Sequence, residues 1–186
     1  MTSFKYMGEF KDESSLPTRV QKGAVMFREP DAEKFAIIAN ILSVVLLVLF
    51  LLLTFFYAGH HYNTWGAVVA FLLLVPHEFL HAIWMKGKVY MYTNWKKMML
   101  FVTSTEDITK GRFIWMSLFP TLCFGFVPFG GFIINPDWIF LGYLGAFSIA
   151  MGAGDYCNIF LALTQMPKGS VTFLSGTHSY WYLPEK

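Results

Sequence analysis

A chain of 186 residues that is 55% hydrophobic and only 14% charged, with a mean hydropathy of +0.48, departs from soluble domains, in which roughly 25% of residues are charged. These values point to one folding unit in a membrane and exclude a disordered chain or a disulfide scaffold. The net charge of +2 comes from 14 basic and 12 acidic residues, and the basic ones form no arginine-rich face with interleaved aromatics, so no nucleic-acid partner is expected.

Residues 1–34 form a mixed-charge segment, read as cytoplasmic. The apolar run behind it is too long for the core of a signal peptide, so the segment is expected to stay attached. That run, 35–57, holds no charge and at about 1.5 Å per residue is long enough to cross the bilayer as a helix. Pro30 and Asp31 stand just ahead of it, where a first-turn proline and an acid suit the positive helix end. A polar break, Gly59-His60-His61-Tyr62-Asn63-Thr64, separates it from a second span at 65–84, which contains Pro76, His77, Glu78 and His81.

From residue 85 to 111 the composition turns polar and basic, which places this connection outside the hydrocarbon. Within it, 89–93 and 98–103 are rich in aromatic and β-branched residues around Asn94-Trp95-Lys96-Lys97, a weak hairpin signal. Thr105, Glu106 and Asp107 read as a helix start. The third apolar run, 112–134, contains Pro120, Pro128, Gly130 and Gly131 and is expected to be kinked or partly unwound. Asn135-Pro136-Asp137 reads as a tight turn before a fourth span at 138–163, where Ala146, Ala150 and Gly154 recur every four residues and allow close helix approach. Residues 164–186 form a polar, aromatic tail, also read as cytoplasmic. Cys123 and Cys157 lie in apolar stretches and read as free packing residues. The predicted fold is therefore an all-α integral membrane protein of four transmembrane helices, spans 35–163, with the hairpin signal in the connection between the second and third.

Positive residues are retained on the cytoplasmic side. The N-terminal segment has Lys5, Lys11, Arg19, Lys22, Arg28 and Lys34, and the second-to-third connection has Lys86, Lys88, Lys96, Lys97 and Lys110, with Arg112 at its border. The other two turns have none, and the tail carries Lys168 and Lys186. A multi-pass protein with both termini in the cytoplasm satisfies these counts.

His77-Glu78-Phe79-Leu80-His81 is a complete HExxH. Residues four apart lie on one helix face, so both imidazoles can bind one Zn²⁺, and the glutamate beside the first can take a proton from water. Such residues in an apolar span are costly unless they face a cavity, one another or a metal. Zinc usually takes a third protein ligand. The candidates are Asp155, Glu106 and Asp137, and depth sorts them. His77 and His81 lie at roughly 10 Å and 5 Å from the cytoplasmic end of the second span, and Asp155 lies ~12 Å from the same end of the fourth. Asp155 is therefore preferred; Glu106 would have to fold back from the connection, and Asp137 sits in the opposite turn. Asn158, one turn after Asp155, can serve as a hydrogen-bond donor to a ligand or substrate, or as a helix-packing amide. His60, His61 and His178 read as interfacial.

With HExxH near the end of a span, Pro120 in the third, Gly152-Ala153-Gly154-Asp155-Tyr156-Cys157-Asn158-Ile159 and then Pro167-Lys168-Gly169, the chain resembles the bacterial domain-of-unknown-function family described as putative zincin peptidases, over residues 36–170. The arrangement also looks like the core of site-2 proteases, intramembrane zinc enzymes. That resemblance implies His77, His81 and Asp155 as metal ligands and Glu78 as catalytic base, although here glycine precedes Asp155 and Tyr156 follows it. The expected activity is membrane-embedded zinc metallopeptidase chemistry in the bacterial plasma membrane. Lipid is the expected surroundings, and a peptide or transmembrane segment the expected substrate. An exposed strand edge within 89–103 is one way to receive that substrate. The alternative is a non-catalytic zinc-binding membrane protein, structural, regulatory or of immunity type, on the same scaffold.

Overall fold

Apolar periodicity and proline placement explain most of the helices in the computed structural model, which describes residues 3–94 and 99–185. Trp95, Lys96, Lys97 and Met98 of the expected hairpin, and Lys186 of the tail, lie outside the described residues. The chain divides into two compact units.

One unit comprises Pro30–His77 and Leu118–Asn158 and is helical. Helix α1, Ala32–Tyr57, is capped by Asp31, whose carboxylate accepts the Lys34 amide at 2.9 Å and the Lys34 ammonium at 2.8 Å. These contacts hold the Asp31 carboxyl below its ordinary pKa. Asn63 caps α2, Thr64–Leu72, in the same way through the Gly66 amide. Next, α3 (Leu74–Ile83) is bent 44° from α2. The cause is Pro76, which has no N–H for the Leu72 carbonyl and whose ring crowds it. The third run, expected to be kinked or partly unwound, is a helical run with a widened turn inside it: α4 (Lys110–Thr121), a π-helical stretch at Leu122–Phe126 and α5 (Val127–Ile134). Pro120 and Pro128 are absorbed by the wider turn rather than by a break.

The fourth apolar run is divided into α6 (Ile139–Met151) and α7 (Ala153–Gln165), bent 50° at Gly152. Helix α6 buries Gly142, Gly145, Ala146, Ile149 and Ala150. A Cβ on Gly142 would come 2.7 Å from Thr54 of α1, and one on Gly145 would come 2.7 Å from Phe129 of α5, so glycine permits both helices to lie against α6. Gly154 has no such neighbour within 4 Å, so the close-approach face is carried by Gly142 and Gly145 with the expected Ala146 and Ala150. Helix α1 leaves Ile41, Val44, Val48 and Phe56 more than half exposed, an apolar face without protein cover.

The other unit comprises Met1–Glu29, Glu78–Ser117 and Ile159–Lys186, and it corrects the all-α expectation. Strands β1 (Ser3–Glu9), β3 (Lys88–Asn94) and β4 (Met99–Thr103) form one sheet in the order β1-β3-β4. Strands β2 (Val25–Met26), β5 (Ile108–Thr109), β6 (Val171–Ser175) and β7 (His178–Tyr182) form a second, ordered β2-β7-β6-β5. The hairpin signal is borne out as the antiparallel β3–β4 pair, with Tyr90 opposite Thr103. However, β1 runs parallel along the far edge of β3, with Phe4 opposite Val89, so β4 rather than β3 borders the sheet. The expected helix start at Thr105-Glu106-Asp107 is also corrected, because β5 follows and α4 begins only at Lys110.

The N-terminal segment and the tail thus hold strands that hydropathy could not reveal. Their pairing is between residues more than 80 positions apart for β1–β3, and two-residue strands such as β2 and β5 carry no alternation. Two small cores hold this unit: Ala82, Met85, Val89, Ile108 and Met116 in one, and Phe27, Ala162 and Met166 in the other. Arg19 ties the N-terminal segment to β5 and β6, reaching Asp107 at 2.8 Å and lying 4.6 Å from the Phe173 ring centre. The Asp107 carboxylate raises the guanidinium pKa further.

Candidate metal centre

Helical spacing puts His77 and His81 on one face of α3, one turn apart. Both are buried, each 8% exposed, and Glu78 is half-buried beside them. One donor atom from each of His77, Glu78 and His81 lies within 4.8 Å of the others, a group that could hold a metal ion. The next side chain, Phe79, stacks on Phe4 of β1 with ring centres 5.2 Å apart, which fixes the outer face of the same turn.

Each imidazole has a hydrogen-bond partner of its own. His81 Nδ1 lies 3.0 Å from the Met116 carbonyl of α4. A carbonyl only accepts, so Nδ1 carries the proton and Nε2 presents its lone pair. This is the orientation in which metal-bound histidines are commonly held. His77 Nε2 lies 3.1 Å from Asp155 Oδ2, with side chains only 10% and 15% exposed. That separation is close to the ~3.3 Å between neighbouring ligands of a tetrahedral ion with bonds of about 2 Å. Asp155 contacts His77 and is not itself one of the three grouped donors.

The bend at Gly152 brings Asp155 into the first turn of α7. A Cβ on Gly152 would stand 2.2 Å from Thr121 Oγ1, so no larger residue fits the crossing with α4. At the break the Ile149 carbonyl accepts the Gly152 amide at 3.3 Å and the Tyr156 hydroxyl at 3.0 Å. Tyr156 thus bridges the break from the position next to Asp155.

Residues 70–171 match a family described as putative zincin peptidase. The chain belongs to that family. Membership points to a zinc metallopeptidase and implies zinc as the metal, and two imidazoles with a carboxylate are a donor set that zinc accepts. No curated protein and no solved structure matches the chain.

The other two acids weighed as ligands, Glu106 and Asp137, are not among the grouped donors. Glu106 is ion-paired with Arg112 and accepts the Lys86 amide. Asp137 lies in the turn between α5 and α6, where its amide donates to the Asn135 side chain at 3.1 Å. Asn158 follows Asp155 by one turn of α7 and is half-buried. His60 and His61 are exposed in the turn between α1 and α2, and His178 pairs with Glu29 at 3.2 Å. Sequence reasoning named His77, Glu78, His81 and Asp155 but missed Tyr156 and the Met116 carbonyl. The carbonyl is a backbone group with no residue signature of its own. Tyr156 was visible only as a departure from the site-2 pattern.

By length and apolar composition, Glu33–Tyr57 and Lys110–Ile134 can each cross a membrane, and the bent pairs α2–α3 and α6–α7 raise the number of candidate spans from two to four.

Proposed function

We propose that the protein is a zinc metallopeptidase embedded in the bacterial plasma membrane, with both termini cytoplasmic, that hydrolyses peptide bonds in membrane or membrane-proximal segments. The observation that carries this reading is the donor group of His77, Glu78 and His81 on a candidate span, with Asp155 of a second candidate span 3.1 Å from His77. His77, His81 and Asp155 hold the metal in this reading, as the resemblance to site-2 proteases implies. Zinc, when bound, supplies the Lewis acidity that activates water and polarises a carbonyl. Glu78 takes the proton as the water oxygen bonds to the peptide carbon, and returns it to the amine as the C–N bond breaks. The exposed apolar face of α1 supports lipid surroundings, and the substrate is a peptide or transmembrane segment.

The test is zinc content per chain, measured on protein purified in detergent without a polyhistidine tag, beside hydrolysis of membrane-segment peptides. Wild type and Glu78→Gln should both carry near-stoichiometric zinc, Asp155→Ala should lose it, and only wild type should cleave. Stoichiometric zinc in Asp155→Ala would make Asp155 a hydrogen-bond partner of His77 rather than a ligand. A folded wild type that takes up no zinc would overturn the peptidase reading. Zinc binding with no Glu78-dependent hydrolysis would favour the non-catalytic alternative.

A further inference from the structure

We infer that Pro120 is a positioning residue of the metal centre, because it has no amide proton to give the Met116 carbonyl and so leaves that carbonyl to orient His81. The inference rests on the reading of His81 as a metal ligand. In an α-helix the carbonyl of one residue receives the N–H of the residue four positions on. Four positions after Met116 stands Pro120, inside α4. Proline is disfavoured in a helix interior because it removes that bond and crowds that carbonyl. Yet the helix continues past Pro120 into the π-helical turn at Leu122–Phe126, so the proline does not serve to end it.

What the proline provides is an acceptor. The Met116 carbonyl receives Nδ1–H of His81 at 3.0 Å. His81 is 8% exposed and Met116 6%, so neither a bare imidazole N–H nor a bare carbonyl would be compensated by bulk water. Each supplies what the other lacks. With its proton held on Nδ1, the nitrogen that His81 would give a metal is Nε2. An amide-bearing residue at position 120 would direct its own N–H at the same carbonyl and compete with the imidazole.

The experiment compares Pro120→Ala, which restores the N–H, with Pro120→lactic acid, which enters the chain through an ester and, like proline, offers no N–H. Both are made in the full-length protein in detergent. Two quantities are read: the zinc dissociation constant, by competition with a chelator, and the tautomer of His81 in metal-free protein. The tautomer is read from ¹⁵N shifts of labelled histidines, with the His81 signals assigned by their loss in His81→Gln. Pro120→Ala should bind zinc about tenfold more weakly and shift His81 away from the Nδ1–H form. Pro120→lactic acid should keep both wild-type values.

Equal losses in the two variants would assign the effect to the missing ring and overturn the inference, as would wild-type values in Pro120→Ala. A wild-type His81 protonated on Nε2 overturns it without any variant. The two readings fail separately: absence of zinc from folded wild type sinks the metal centre, while the metal-free tautomer still decides the role of Pro120.

Discussion

His77 and His81 carry the same side chain on the same helix face, yet their environments assign them different nitrogens. The Met116 carbonyl takes Nδ1 of His81, and Asp155 lies at Nε2 of His77. The second contact depends on a single missing Cβ. At Gly152 the backbone lies where an added methyl would stand 2.2 Å from the hydroxyl of Thr121, itself fully buried. Gly152→Ala should therefore destabilise the protein by about 1–3 kcal/mol through overpacking, seen as a lower melting temperature in detergent. Adding Thr121→Ala removes the atom in closest contact and should recover much of that loss. If the double variant is no more stable than Gly152→Ala, the clash is not the cause. HExxH was legible in the sequence because both histidines come from one helix with a known period. The Gly152 contact was not, because the residue it opposes lies 31 positions away on another helix.

Among the elements, helix ends and breaks do most to place side chains. Pro76 accounts for the bend before the HExxH turn, and Gly152 for the bend before Asp155. The kink expected in the third run is a widened turn, whereas the bends at Pro76 and Gly152 fall in runs expected to be single spans. Around Pro120 and Pro128 a widened turn keeps the helix whole, whereas at Gly152 the Thr121 contact and the Tyr156 hydroxyl stabilise a break. Helix α7 then ends against a cation from another element. Lys110 Nζ donates to the Leu163 carbonyl at 3.2 Å and to the Met166 carbonyl at 2.6 Å, satisfying acceptors that a helix C-terminus leaves bare. Lys110→Met should cost about 1 kcal/mol and speed amide hydrogen exchange in the final turn of α7. Unchanged exchange there would remove Lys110 from this role. Sequence alone assigned Lys110 only to the positive-inside count.

For the whole molecule, the proposed topology predicts which positions face each side of the membrane. With Cys123 and Cys157 replaced by alanine, Tyr62→Cys and Asp137→Cys should react with a membrane-impermeant maleimide in intact cells. Ser14→Cys and Glu185→Cys should react only after permeabilisation. The reverse pattern would invert the protein, and labelling of Tyr62→Cys without Asp137→Cys would make the third and fourth apolar runs re-entrant. The four apolar runs survive as helical segments, but the segments between and around them hold two sheets that the all-α expectation omitted. Phe173 and Tyr180, with ring centres 5.6 Å apart across β6 and β7, lie in the segment expected as a polar, aromatic tail.

By itself, the sequence determined the apolar runs, the acid ahead of the first helix at Asp31, the zinc-type motif at His77, Glu78 and His81, and Asp155 as the preferred candidate beside it. Each of these is local, or follows from counting residues along helices of fixed rise. Only the tertiary structure decided the two sheets, the bend at Gly152 and the backbone acceptor of His81. Those depend on strands and helices distant in sequence meeting at particular atoms, and neither hydropathy nor periodicity records which distant atoms meet.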